Sequence, residues 1–218
     1  IHTKVRMCVR HHSSLSQYSE WAGIIMNRII TISREFGSGG RTIGKQVAER
    51  LGIPCYDQEL LEKIEEKSGL AREFIEERGE YTLKGGWLAN AFADRSLNGL
   101  SVQDYLWTVQ RKIILEVAEE SSCVIVGRCA DFILDGKADL LKVFIHASIE
   151  NRAARIVEKY GESDVAPEKR LRDKDIRRSA YYRFYTDVEW GIAKNYDIAL
   201  DSGVIGLDRC VDIIASLY

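Results

Sequence analysis

The stretch "SREFGSGGRTIGKQ", Ser33 through Gln46, joins an apolar run, Arg28-Ile-Ile-Thr-Ile32, to a segment with helical spacing. It sets Gly37, Gly39, Gly40, Arg34 and Arg41 between a buried-type strand and a helix start. Glycines supply the left-handed backbone such a loop needs, and the N–H groups opening a helix point at an anion. Phosphate chemistry is the first expectation. The phosphate-binding string G-x-x-x-x-G-K-[ST] adds a lysine for the β/γ oxygens and a hydroxyl for Mg²⁺. By letters alone Gly39, Gly44 and Lys45 fit it, yet Ile43, Val47 and Leu51 recur at helical spacing and carry Lys45 into the helix. Counted from the strand, the first loop position falls on Arg34 and the lysine position on Gly40. With one extra loop residue, Gly37, Ser38, Gly39, Gly40, Arg41 and Thr42 form the cradle, Arg41 takes the cationic role and Thr42 offers its hydroxyl to the metal. The plain alternative is a flexible strand-to-helix turn without a ligand.

The elements that must position this loop follow from periodicity. Residues 28–33 read as the first strand and 41–51 as a helix closed by Gly52. Residues 53–57 read as a short strand whose Pro54 suits its start. A charged helical stretch over 59–79 breaks near Ser68-Gly69, and over 80–100 the pattern dissolves into a loop that includes Trp87. A helix over 101–120, apolar runs at 123–126 and 140–145, a Ser148-capped helix ending at Gly161, a strand over 196–200 and a last helix complete the chain. Strands alternating with helices predict a parallel sheet, with ligands beyond the carboxyl ends of its strands. The glycine loop, Asp57, Arg128 and Asp201-Ser202 all fall on that edge.

With 218 residues, 45% hydrophobic and 29% charged, the chain can bury one substantial core. Its net charge of −2 gives no electrostatic case for a nucleic-acid polymer. No apolar run reaches a membrane span, so a cytoplasmic location is expected. The five cysteines include no C-x-x-C pair and read as small core residues. Residues 1–25 stand apart from the periodic pattern, and Met26 directly precedes the first strand. The expectation is an extension over 1–25 followed by one domain over 26–218, with His11-His12 an accident of the extension.

Over about 27–218 the chain resembles the cytidylate kinase-like family, relatives of bacterial cytidylate kinase within the P-loop nucleoside monophosphate kinases. The resemblance rests on "TISREFGSGGRTIGKQVAERLGIPCYD", "VIVGRCADFILDGKADLLKVFIHAS", "ENRAARI", "DIRRSAYYRFYT" and "NYDIALDS", in that order and spacing. It implies a three-layer α/β P-loop NTPase fold with a parallel sheet, an NMP-binding insertion at about 57–105 and a helical lid at about 161–190. It also implies ATP and Mg²⁺, with a nucleoside monophosphate such as CMP or dCMP as acceptor. Carried over by residue, Gly37 through Thr42 resemble the loop on the ATP phosphates, and Asp57 the acidic residue on the acceptor side. Gly127-Arg128 resemble the "GR" facing the acceptor, and Asp175 and Arg178 the D-x-x-R of the lid. The chain departs from the family pattern at Gly40, which lacks the lysine, at Cys129, where the pattern has Asp, and at Leu171, where the lid motif has arginine beside what are here Arg170 and Arg172.

Phosphoryl transfer asks a protein for positioning and for cations around the moving group. Arg34, Arg41, Arg128, Arg170, Arg172, Arg177, Arg178 and Arg183 could supply that field, Arg41, Arg172, Arg178 and Asp175 being the catalytic candidates. The segment 169–183 reads equally as a solvated charged helix. Asp57 reads as a substrate contact or as the cap of the helix after it, and Asp131 as a replacement for the missing acid or as a cap. The reading is an ATP-dependent phosphotransferase. A kinase for another small acceptor and a nucleotide-binding regulator without turnover are its rivals.

Overall fold

The computed structural model of the protein describes residues 25–70 and 102–218. The extension before residue 25, the loop 80–100 with Trp87 and most of the expected insertion lie outside the described residues. Strand β1 (Ile25–Arg34) places Ile29 on one face of a sheet and Ile30 and Ile32 on the other, all fully buried. Such two-sided burial requires neighbours on both edges and helices on both faces. The neighbours are β3 (Cys123–Val126) and β4 (Ala138–His146), with β2 (Cys55–Tyr56) and β5 (Ile198–Asp201) outside them. The order β2-β3-β1-β4-β5 is parallel throughout, and Ile32 pairs with both Val126 and Val143.

Helices α1 (Gly40–Leu51), α2 (Gln58–Ser68), α3 (Val102–Glu120), α4 (Ala130–Ile133), α5 (Ile149–Tyr160), α6 (Pro167–Thr186) and α7 (Leu207–Ser216) complete three layers. On one face Ile43 and Val47 of α1 and Val211 and Ile214 of α7 pack on Ile30, Val124 and Val143. On the other, Leu60 and Ile64 of α2 and Ile113 and Val117 of α3 pack on Ile29 and Ile125. The expected three-layer α/β P-loop fold is therefore the one observed, with element ends moved. β1 runs longer at both ends, because Arg34 still pairs with Ile145 of β4. β5 starts later than expected, because Tyr196 closes a 3₁₀ turn over Ala193–Asn195. Ser148 caps α5 as expected, accepting from the Asn151 N–H at 3.2 Å.

Among the described residues Cys123, Cys129 and Cys210 are buried in the core and Cys55 is half-buried, while Cys8 lies outside the described residues. Cys123 is fully buried, and burial pushes its thiol up to about 12, far from nucleophilic chemistry. Helix α6 is polar on most of its surface, yet Tyr181 and Tyr182 at its C-terminal end are buried with Cys129, and Tyr185 stacks on Trp107 of α3 at 4.2 Å between ring centroids. Among the described residues no helix is long and apolar enough to cross a membrane.

Helix α1 lies close against the sheet at Gly44. A Cβ there would lie 2.9 Å from Val126 Cγ2 and 3.2 Å from Ile32 Cδ1. Alanine would gain about 1 kcal/mol of helix propensity but must push α1 off the sheet. Gly44→Val exceeds the available space outright, and overpacking is expected to lower stability by about 1–3 kcal/mol. Urea unfolding of the variant against the parent chain measures this. An unchanged midpoint would mean that α1 rides free of the sheet.

Candidate active site

β1, the loop after it and α1 build the first part of the site. The Glu35 N–H donates to the Ile145 carbonyl at 3.0 Å, and the Ser38 hydroxyl donates to the Glu35 carbonyl at 2.9 Å. This folds residues 35–39 back toward the helix. Gly39, at φ 82°, turns the chain into α1, and no side chain caps that N-terminus. The first-turn N–H groups are left to whatever anion occupies the loop. Lys45 sits exposed at the sixth position of the helix, as helical spacing predicted.

A buried ionic knot holds the loop in place. Arg152 of α5 reaches Asp175 of α6 at 2.6 Å and Glu35 at 3.3 Å, and donates to the Phe36 carbonyl at 3.2 Å. Asp175 in turn accepts from the Phe36 N–H at 2.7 Å and lies 3.7 Å from Arg178. Arg178 donates to the Arg34 carbonyl at 3.1 Å, and Arg155 to the Gly37 carbonyl at 2.8 Å. The Ser202 hydroxyl donates to the Ser38 carbonyl at 2.5 Å. Burial raises the Glu35 pKa despite the charge of Arg152. Arg152 and Arg155 were not among the sequence candidates. Their three-residue spacing on a Ser-capped helix after β4 was the available signal.

Around this loop lies an open cleft of about 930 Å³ whose wall includes Gly39, Gly40, Arg41, Thr42, Arg155, Arg170, Arg177 and Arg178. Beside it is a narrow recess of about 20 Å³ lined by Ser33, Gly127, Arg128, Cys129, Tyr181 and Trp190. Arg34 and Arg178 line both. Arg128 stands at φ 60°, immediately past β3, and is 6% exposed. Its Nη1 has no hydrogen-bond partner among the described residues, while its carbonyl accepts from Gln110 at 3.0 Å.

The other expected residues distribute unevenly. Arg41 lines the cleft, but its Nε is engaged by Asp57 at 2.7 Å. Asp57 precedes α2 without a side-chain capping bond, so its carboxylate serves that ion pair. Asp175 is the carboxylate that ties the lid helix to the glycine loop, and it does not face the cleft. Arg172 is exposed and outside the cleft lining, where Arg170 and Arg177 stand instead. Asp131 is 3% exposed in the first turn of α4 and accepts from the Tyr182 hydroxyl at 3.0 Å and the Ser33 hydroxyl at 3.5 Å. Burial raises its pKa, and it lies outside the lining of the Arg128 recess. Thr42 is half-buried in the first turn of α1, on the cleft wall.

A profile of the cytidylate kinase-like family matches residues 29–204. The cytidylate kinase of Archaeoglobus fulgidus is 31% identical over 191 residues, which span 85% of this chain and 91% of that one. The cytidylate kinase of Methanosarcina mazei is 27% identical over 85% and 93% of the two chains. Among solved structures, an uncharacterised protein from Eubacterium ventriosum superposes with a TM-score of 0.65 at 27% identity, over 88% of this chain and 98% of the other. The shikimate kinase of Bacteroides thetaiotaomicron shares the fold, with a TM-score of 0.51 at 18% identity over 88% and 98%. A parallel sheet in this strand order, a glycine loop opening α1 and a family match over most of the chain agree: the protein belongs to the cytidylate kinase-like family and is a nucleoside monophosphate kinase-like phosphotransferase.

Proposed function

We propose that the protein transfers the γ-phosphoryl group of ATP to a nucleoside monophosphate in the cytoplasm, with CMP or dCMP as the first choice of acceptor. The observation that carries this reading is a buried guanidinium nitrogen of Arg128 without a hydrogen-bond partner among the described residues, in a recess adjoining the glycine-loop cleft. A desolvated cation without a partner is costly, and a phosphate supplies the missing bonds in pairs. The recess as it stands has room for about one water, so seating a phosphate against Arg128 widens it toward the cleft.

The loop fits a polyphosphate. α1 carries no side-chain cap, and a Cβ on Gly39 would meet Leu207 Cδ2 at 2.6 Å, so backbone alone can line that wall. Gly37, Ser38, Gly39, Gly40, Arg41 and Thr42 would hold the ATP phosphates, and Thr42 would hold Mg²⁺, which would supply charge neutralisation on the phosphates. In the transfer, the bond from the γ-phosphorus to the β,γ-bridging oxygen breaks and its electron pair leaves with ADP. A phosphate oxygen of the acceptor forms the new bond, so that ATP and the monophosphate become ADP and the diphosphate. No proton has to move when that oxygen is already ionised. Asp175 and Arg152 contribute by fixing the loop, while Arg170, Arg177 and Arg178 stand where charge must be balanced. Cys129, 4% exposed where the family pattern has Asp, favours a second reading in which the acceptor is another small molecule.

A coupled ADP-release assay over the nucleoside monophosphates is expected to show turnover with CMP or dCMP. Turnover confined to another acceptor would select the second reading, and ATP binding without turnover on any acceptor would leave a nucleotide-binding regulator. On the same enzyme, Arg128→Lys is expected to raise the acceptor KM about tenfold or more, the worth of one lost charge-assisted bond. ATP affinity should stay within about twofold. Weakened ATP binding with an unchanged acceptor KM would remove Arg128 from the acceptor side.

A further inference from the structure

The loop position that carries lysine in phosphate-binding loops is Gly40, and its first position, ordinarily glycine, is Arg34. The structure makes these two departures one. A Cβ built on Gly40 would lie 2.6 Å from Arg34 Cβ and 2.9 Å from Arg34 Cγ. Arg34 Cβ is fixed by the last ladder pair of β1, so this contact cannot relax by rotating a side chain. The next neighbour, Ile145 Cβ, is at an ordinary 3.6 Å. Gly40 is not at positive φ, so its backbone would accept any residue. The stem of Arg34 alone forbids a side chain at 40, because it fills the space in which a lysine stem would start.

We propose that Arg34 is the catalytic cation that replaces the missing loop lysine. The proposal rests on the phosphotransferase reading and assigns the residue that completes it. Arg34 projects from the end of β1 rather than from α1, and it lines both the cleft at the glycine loop and the recess of Arg128. A γ-phosphoryl group moving from ATP in the first to an acceptor in the second passes this side chain. Its carbonyl is held by Arg178, which stands on both walls as well. The alternative carrier of the role, Arg41, is 44% exposed at its side chain, whereas Arg34 is 6% exposed at the meeting of cleft and recess. A guanidinium at the loop also differs from lysine in kind, since it offers two parallel N–H donors to adjacent phosphate oxygens.

The test is a swap. Arg34→Gly, Gly40→Lys and the double variant Arg34→Gly/Gly40→Lys are compared with the parent chain for MgATP affinity by calorimetry, with unfolding temperature followed on each. Arg34→Met, which keeps the stem against Gly40, and the exposed control Lys45→Ala complete the set. Arg34→Gly and Arg34→Met are expected to weaken MgATP binding about tenfold or more, the scale of a charge-assisted contact. The double variant should recover to within about threefold of the parent, because removing the Cβ and Cγ of Arg34 opens the space that the introduced lysine stem needs. Gly40→Lys alone should lower the unfolding temperature, and Lys45→Ala should change nothing. Where an acceptor turns over, kcat should follow the same order. If no acceptor turns over, the kinase reading fails while the binding series still decides the role of Arg34. The proposal is overturned if Arg34→Met binds MgATP like the parent, if the double variant is no better than Arg34→Gly, or if Arg41→Met costs more affinity than Arg34→Met.

Discussion

The pair between the buried Arg152 and the half-buried Asp175 is the interaction on which the site depends. It joins α5 to α6, and both partners reach the loop backbone at one residue, Arg152 through the Phe36 carbonyl and Asp175 through the Phe36 N–H. Two charges withdrawn from water cost several kcal/mol each and are tolerated when geometry and further hydrogen bonds are good. Here Glu35 and Arg178 supply the further partners. The loop is thereby held between two helices before any phosphate arrives, and the cost of ordering a glycine-rich segment is met in folding and not in binding.

The same knot limits how the lid can work. Withdrawing all of α6 would strip Asp175 from Phe36 and Arg178 from Arg34, and would drag Tyr181 and Tyr182 out of their cluster with Cys129. Residues 161–166 before it are exposed, and the Val165 N–H donates to the nearby Ser163 hydroxyl. On the proposed reading, closure over a nucleotide would fall to the first turns of α6 and the segment leading into them, where Arg170 meets the Gly161 carbonyl. The tyrosines at the far end are the fixed point, which is why a helix so polar over most of its surface keeps aromatic residues there.

Periodicity made the sheet legible. Continuous apolar runs such as Cys123–Val126 have one reading when bounded by turn residues, and that strand came out with the expected ends. Ends set by side-chain or tertiary events did not. Arg34 belongs to β1 because Ile145 pairs with it, which no local signal announces. At the site, spacing placed Lys45 outside the loop and put Arg128 past a buried strand, and both positions are as read. Pairings between distant segments were beyond reach. In isolation Arg41 reads as a phosphate contact and Asp57 as a substrate contact or a helix cap, and their mutual 2.7 Å pair depends on β2 bringing Asp57 beside α1. Arg152 could not be singled out from its own helix, because burial of a charge depends on partners supplied elsewhere, here by the loop after β1 and by α6.

The loop's departures from the family pattern become coherent when taken as geometry. Lysine in a phosphate-binding loop reaches forward from the helix over the backbone cradle. Here the helix begins with a residue that can have no side chain, and the preceding strand ends with the longest cationic one. Either residue alone would be a defect: Gly40 without Arg34 leaves the phosphates with one cation fewer, and Arg34 opposite a lysine would collide with it. Together they keep one positive group at the loop and change only the direction of its approach, from α1 to the edge of β1. That edge is also where the recess of Arg128 meets the cleft. With Arg34 in the role proposed for it, the exchange would move the cation from the donor phosphates alone toward the boundary between donor and acceptor, the place where charge shifts during phosphoryl transfer.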